Sequence, residues 1–247
     1  MYIKQIRDLT VIDFDESRYL GVSCDSCGGI GLKEQDVIKA SPQLTAYQTG
    51  KVALAELMSM GFTPIVLADA LAVEMNDTGK QLIEGFNYLL SKLKTAKVKL
   101  TGSTEENIKT LQTSMGVTCI GICDKNKLKY KKTSKGDICI LLGLPLVGND
   151  VVKYPHKILD IDDFEKLLLC NFIKEMVPVG SKGIAAELDG LCKYNKLNFK
   201  FRKDIYVNLE NSGGPSCSCI VTADKKHVNI IRNLVNKPFE ILGNFYW

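Results

Sequence analysis

The chain has 247 residues, 45% hydrophobic and 24% charged, with 32 basic against 28 acidic side chains and a net charge of +4. That length supports one large or two modest domains with real cores, and the composition excludes disordered and collagen-like chains. The small, dispersed basic excess gives no reason to expect a nucleic-acid partner, and no apolar run approaches the ~18–20 residues that span a bilayer.

The N-terminus, Met1-Tyr-Ile-Lys-Gln-Ile-Arg-Asp, lacks the apolar core of a secretory signal, so the nine cysteines read as reduced thiols in the cytoplasm. Cys24 and Cys27 form a Cys-x-x-Cys, and Cys217 and Cys219 a Cys-x-Cys. Zinc on these four is conceivable, but the second spacing is unusual, and most of the cysteines read as packing residues.

In chain order, Leu9–Phe14 and Tyr19–Cys24 read as two strands of a hairpin around the acidic turn Asp15-Glu16-Ser17. Gly28, Gly29 and Gly31 make a loop, and Pro42 opens a helix to about Met60. Pro64–Val73 is strand-like. Thr78 is a candidate cap for a helix whose Leu82, Ile83, Phe86, Leu89, Leu90 and Leu93 repeat at helical spacing. Val98-Lys-Leu leads into TGSTEEN, read as a loop, and Gly116–Cys123 is another strand. Six lysines between Lys125 and Lys135 read as a solvated connector and set a domain boundary, giving domains 1–127 and 128–247. The second half reads as a buried strand over Ile138–Leu144, a helix from about Asp163, a helix from Gly183, a strand over Ser216–Val221, and a last helix with Val228, Ile231 and Leu234. Both halves mix strands and helices, which predicts an α+β or mixed α/β architecture.

Standard phosphate-binding motifs are absent, and His156 and His227, the only two histidines, have no obvious ligand or triad partners nearby in sequence. What remains is acids at the ends of apolar segments. Asp25 follows a strand and precedes the glycine loop. Asp69 interrupts Ile65–Val73, where a charge is expensive unless paired or metal-bound. Glu56 lies in an apolar helical stretch, and Glu105 and Glu106 follow Thr101-Gly-Ser-Thr. These are hard oxygen donors of the kind magnesium prefers, although each taken alone also reads as an ordinary solvated acid.

The order of these segments resembles the aminoimidazole-ribonucleotide-synthetase-like superfamily. Arg7-Asp-Leu-Thr-Val-Ile resembles its motif GDDAAV, with Asp8 on the second aspartate. SCDSCGGIGLK is similar to STDGVGTK, with Asp25 on the metal-binding aspartate and Lys33 near the lysine. VALAELMSMGFTP resembles AVNDLAAMGAEP with Glu56 in place of aspartate, and LADALAVE resembles FLDYLA with Asp69 on an acidic position. LTGSTEEN corresponds to the GGDT loop, VGSKGIAAEL to the SDGL helix start, and SGGPSCSCIVT to SGGEDYELLFT. Ser103, Lys182 and Pro215-Ser-Cys depart from the acids expected there, which argues against thiamine monophosphate as substrate.

SCDSCGGIG, LADALAVEM and LTGSTEEN look most like the α-ribazole kinase branch. The resemblance implies a two-domain fold whose N-terminal domain holds Mg-ATP and pairs with its twin in a β-barrel homodimer. It implies metal ligands Asp8, Asp25, Glu56, Asp69, Glu105 and Glu106. ATP would contact Gly28, Gly29, Gly31, Gly102, Thr104, Gly213 and Gly214, with Asp25, Lys33 and Lys182 at the transferred phosphoryl group. The expected activity is phosphorylation of the 5′-hydroxyl of α-ribazole, in salvage of the cobalamin lower ligand, with an amide-activating cyclo-ligase or dehydratase and a silent nucleotide-binding protein as alternatives.

Overall fold

The computed structural model describes residues 2–247, which form two compact units divided between Leu128 and Lys129. The first unit contains β1 (Ile3–Ile6), β2 (Leu9–Asp13), β3 (Arg18–Gly28), β4 (Ile30–Gly31), β5 (Ile38–Lys39), α1 (Pro42–Ser59), β6 (Thr63–Leu71), α2 (Lys80–Ser91), β7 (Lys99–Thr104) and β8 (Ser114–Asp124). Six strands make one sheet in the order β1-β2-β3-β8-β6-β7, antiparallel except for the parallel pair β6–β7.

Alternation along the strands sorts the sheet into two faces. Leu9, Val11, Leu67, Leu71, Met115, Val117 and Cys119 point to the buried face. There α1 lies against β3, β8 and β6, and α2 packs on α1. Phe62, Leu54, Leu57 and Phe86 are fully buried in this layer, each worth about 1.5–3 kcal/mol of burial. The opposite face, with Ile12, Leu20, Val22, Val66, Ile120 and Ile122, is only half-buried. The sheet is open: no closed barrel forms within this unit.

α1 starts where the sequence signals it, with the Ser41 hydroxyl accepting from the Leu44 amide at 3.3 Å and Pro42 in the first turn. Two expectations fail in this unit. Thr78 does not cap α2; residues Met75–Gly79 form a π-type turn, Asp77 sits at φ +62°, and the helix begins at Lys80 with no side-chain cap. Thr101–Thr104 is not loop but strand, because β7 pairs in parallel with β6 from Lys99 to Thr104. That pairing is non-local, so Gly and Ser in the segment mask it.

The second unit contains β9 (Ile138–Leu142), α3 (Asn149–Lys153), α4 (Ile161–Leu168), β10 (Ile173–Pro178), α5 (Gly183–Asn195), β11 (Asn198–Phe201), β12 (Cys219–Ala223), α6 (Val228–Leu234) and β13 (Phe239–Tyr246). Its five-stranded sheet runs β10-β12-β9-β13-β11, antiparallel throughout. Ile184, Leu188 and Leu191 of α5 cover the face that carries Cys139, Leu141, Ile220 and Leu242. The alternate residues Ile140, Leu142 and Val221 are buried as well, so both sides of the central strands are covered. α4 opens on a capping box: the Asp160 carboxylate accepts from the Ile161 amide at 2.9 Å, and Asp163 accepts from the Asp160 amide at 3.0 Å. The strand expected at Ser216–Val221 is shifted to Cys219–Ala223. Ser216, at φ +48°, and Cys217 belong to the preceding turn.

Candidate functional site

Asp25 lies near the C-terminal end of β3, and Asp69 near the C-terminal end of β6. Both pair with Val117 of β8, the strand between them. The two aspartates therefore stand at one level on the buried face, two strands apart, or about 10 Å between backbones. Burial pushes the Asp25 carboxyl up to about 6 against the ordinary 3.8, opposed by a hydrogen bond from the Ser26 backbone. Burial likewise raises Asp69 to about 6. Neither has a cationic partner among the described residues. Two desolvated carboxylates on one face, without a counter-charge, make a place where a cation is electrostatically wanted.

Gly102 pairs with Asp69 across β6–β7, and a Cβ at residue 102 would overlap the Asp69 carboxylate. A glycine is needed there for close approach. Beyond it, Thr104 Oγ1 donates to Glu106 Oε1 at 2.6 Å, while Glu105 Oε1 accepts from the Asn107 and Ile108 amides at 2.7 and 3.2 Å. Both acids of this segment are thus engaged in shaping their own turn. Asp8 is exposed in the β1–β2 turn, and the pairing of Thr10 with Val22 puts it level with Cys24, at the same end of the sheet as Asp25.

Glu56 is not brought to this group. Its neighbour Leu57 lies under Gly121, which pairs with Gly21, four residues before Asp25 on β3. That is about 13 Å along the strand. No set of three or more acid, cysteine or histidine side chains converges as a metal cage among the described residues. The arrangement still fits magnesium, which is commonly held by one or two carboxylates with phosphates and water completing the octahedron.

The glycine segment is held by a residue that the motifs did not single out. Buried Asp36 accepts from the Thr113 amide and hydroxyl, each at 2.8 Å, and from the Lys33 amide at 2.8 Å. Gly31 passes so close to Thr113 and Asp36 that a Cβ would overlap both. The Gly29 amide is donated to the Thr113 carbonyl at 2.8 Å, so it serves the fold. Lys33 Nζ forms an ion pair with Glu74 and donates to the Thr110 carbonyl at 3.0 Å. The lysine holds the Glu74 carboxyl down at about 2. Glu74 ends the apolar run that contains Asp69, the same signal that marked the other acids, and could have been found by it.

In the second unit, Lys182 is exposed at the start of α5, and the buried Gly213 donates its amide to the Gly180 carbonyl at 3.0 Å, with Gly214 following at φ +45°. Lys182, Gly213 and Gly214 therefore belong to one corner of that unit. All nine cysteines are free thiols, and Cys24 and Cys27 face opposite sides of β3. His227 stacks on Phe172 at 4.7 Å.

Residues 7–123 match the family described as AIR synthase related protein, N-terminal domain. The matched residues lie within the first unit. No curated protein matches the chain in sequence. Solved structures extend the likeness over almost the whole chain. The thiamine-monophosphate kinase of Stenotrophomonas maltophilia is 16% identical with a TM-score of 0.67, over 99% of this chain and 88% of that one. The thiamine monophosphate kinase of Aquifex aeolicus is 11% identical with a TM-score of 0.69, over 98% and 90%. PurL of Thermotoga maritima complexed with ATP is 12% identical with a TM-score of 0.65, over 96% of this chain but 42% of PurL, so the chain spans under half of that protein. At such identities the likeness establishes the fold alone, a mixed α/β fold shared with these structures.

Proposed function

We propose that the protein is an ATP- and magnesium-dependent kinase that phosphorylates the 5′-hydroxyl of α-ribazole, in salvage of the cobalamin lower ligand. The observation that carries the phosphotransfer reading is the pair of half-buried Asp25 and buried Asp69, at one level on either side of Val117, with no cationic partner among the described residues. Support for ATP as the nucleotide comes from the fold shared with PurL in its ATP complex. Support for a kinase acting on a small molecule comes from the fold shared with two thiamine-monophosphate kinases. The α-ribazole assignment rests on the segments SCDSCGGIG, LADALAVEM and LTGSTEEN.

Asp25 and Asp69 would hold the magnesium, with Asp8 at the same end of the sheet. When bound, the ion supplies charge neutralisation on the triphosphate. Gly102 keeps the space above Asp69 open, and Thr104 offers a hydroxyl at the end of β7. Lys33, tied to Glu74, keeps the segment after the glycines fixed beside the aspartates. On the motif resemblance alone, Lys182, Gly213 and Gly214 of the second unit are further residues that would contact the nucleotide. Phosphoryl transfer needs positioning and electrostatic stabilisation, so no covalent nucleophile is required. The γ-phosphoryl group passes to the acceptor hydroxyl, leaving ADP and a phosphate ester. The half-buried apolar face of the first sheet is the surface on which we place a homodimer in which the two sheets complete a barrel. The free thiols suit a reducing cytoplasm.

The fold shared with PurL favours one second reading, an ATP-dependent cyclo-ligase or dehydratase acting on an amide. Incubation with ATP and a panel of α-ribazole, thiamine monophosphate and formylglycinamidine ribonucleotide separates the two. Kinase activity gives ADP and α-ribazole phosphate. ADP with free phosphate and a cyclised product overturns it in favour of the ligase, and ATP binding without turnover of any acceptor overturns both.

A further inference from the structure

Asp25, Val117 and Asp69 form one rung across β3, β8 and β6. Three residues further along, the same three strands are tied together again. Gly28 pairs with Ser114 on one side, and on the other the Ala72 amide, just past β6, donates to the Ser114 carbonyl at 3.0 Å. Ser114, the first residue of β8, therefore holds both aspartate-bearing strands, about 10 Å along the sheet from the aspartates themselves.

The residue before it is fixed at every polar atom. Thr113 is fully buried; its carbonyl accepts from the Gly29 amide at 2.8 Å, and its amide and hydroxyl donate to the two oxygens of Asp36, each at 2.8 Å. Asp36 takes a third hydrogen bond from the Lys33 amide at 2.8 Å, whereas the Lys33 ammonium goes to Glu74. Asp36 is itself buried, and hydrogen bonds to an ionised carboxylate are roughly twice as strong as neutral ones. One carboxylate thus clamps the segment after the glycines to the entry of β8, across 77 residues of chain.

The place where this clamp closes gives it a part in the chemistry. It holds the sheet at the end where the two aspartates stand, and metal binding by carboxylates depends on the groups that orient them. We propose that Asp36 is a positioning residue of the metal–nucleotide site. Acting through Thr113, it keeps the ends of β3 and β6 on β8 and so sets the spacing at which Asp25 and Asp69 meet magnesium. The inference rests on the assignment of magnesium to those two aspartates.

The test is the affinity of the full chain for the non-hydrolysable ATP analogue AMPPCP, measured by calorimetry in excess magnesium and without it. The ratio of the two affinities is the magnesium dependence. Asp36→Asn and Thr113→Val should each lower that ratio about tenfold, since removing a group that orients metal ligands typically costs about 10–100-fold. Thr113→Ser, which keeps the hydroxyl, should preserve it. Glu175→Ala removes a buried, hydrogen-bonded carboxylate of the second unit, so it should lower the thermal midpoint and leave the ratio unchanged. If Asp36→Asn fails to fold, the comparison of Thr113→Val with Thr113→Ser decides, because the two differ in the hydroxyl that Asp36 accepts from. A wild-type ratio of one removes the magnesium assignment and this inference with it. A wild-type ratio well above one that Asp36→Asn and Thr113→Val retain overturns the role of Asp36 alone. Equal losses in Thr113→Ser and Thr113→Val, or a matching loss in Glu175→Ala, overturn it as well.

Discussion

Two buried carboxylate arrangements in this protein are opposites. Glu175, fully buried on β10, accepts from the Lys131 amide at 2.9 Å, the Thr133 amide at 3.2 Å, the Thr133 hydroxyl, and the Asn195 amide group at 2.6 Å. It ties the segment entering the second unit to the end of α5, and its charge is spent inside the fold. Asp25 and Asp69 in the first unit each have little beyond a backbone hydrogen bond, and burial raises both to about 6. A carboxylate that the protein satisfies is a structural rivet. One that the protein desolvates and leaves without a counter-charge is held for something brought from outside.

That contrast can be broken by mutation. The largest expected effect is on turnover: Asp25→Asn or Asp69→Asn should cost on the order of a thousandfold in kcat with the fold intact, measured as ADP release with α-ribazole. Near-wild-type turnover would remove the pair from the site. Glu175→Ala should act the other way round, lowering stability by about 3 kcal/mol in urea unfolding, because several buried donors lose their acceptor. A change below about 1 kcal/mol would mean that water replaces the carboxylate there.

Gly102→Ala sharpens the comparison, since its methyl must displace the Asp69 carboxylate. Activity should fall about tenfold or more with only a small change in thermal midpoint. Unchanged kinetics would show that Asp69 is free to move.

The pH dependence has a defined sign. Folded-state values near 6, against 3.8 for an ordinary aspartate, mean that the folded protein holds these two protons more tightly than the unfolded chain. Their contribution to stability therefore falls as pH rises from about 4 through about 6. Without magnesium, the wild type should lose about 1–2 kcal/mol across that range relative to the Asp25→Asn, Asp69→Asn double variant, after allowance for solvent access. Parallel pH profiles of wild type and variant in chemical denaturation would contradict it. The smallest effect belongs to Glu74→Gln, which breaks the Lys33 ion pair at a partly exposed place and should cost under about 1 kcal/mol.

Much of the fold was legible where local signals coincide. Pro42 marks the start of α1, the period of Leu82, Phe86 and Leu89 marks α2, and Gly183 marks α5. What escaped were elements decided by distant partners. β1, β10 and β13 carry no clean alternation, β11 alternates over only four residues, and β7 depends on its parallel pairing with β6. For the site, strand-end position exposed Asp25 and Asp69 as individual acids. Their common level on Val117 is a matter of register across three strands, which no local pattern contains. Asp36 stayed hidden for the same reason, since Thr113 is far from it in the chain; Glu74 carried the strand-end signal, but its partners Lys33 and Thr110 are likewise distant.

The most direct measurement is the thermal shift produced by magnesium with the non-hydrolysable analogue AMPPCP, compared between the wild type and the Asp25→Asn, Asp69→Asn double variant. Magnesium should be required for most of the wild-type stabilisation, and the double variant, though folded, should show no magnesium-dependent part. A magnesium-dependent shift of equal size in both proteins would contradict the assignment of these two aspartates to the metal–nucleotide site.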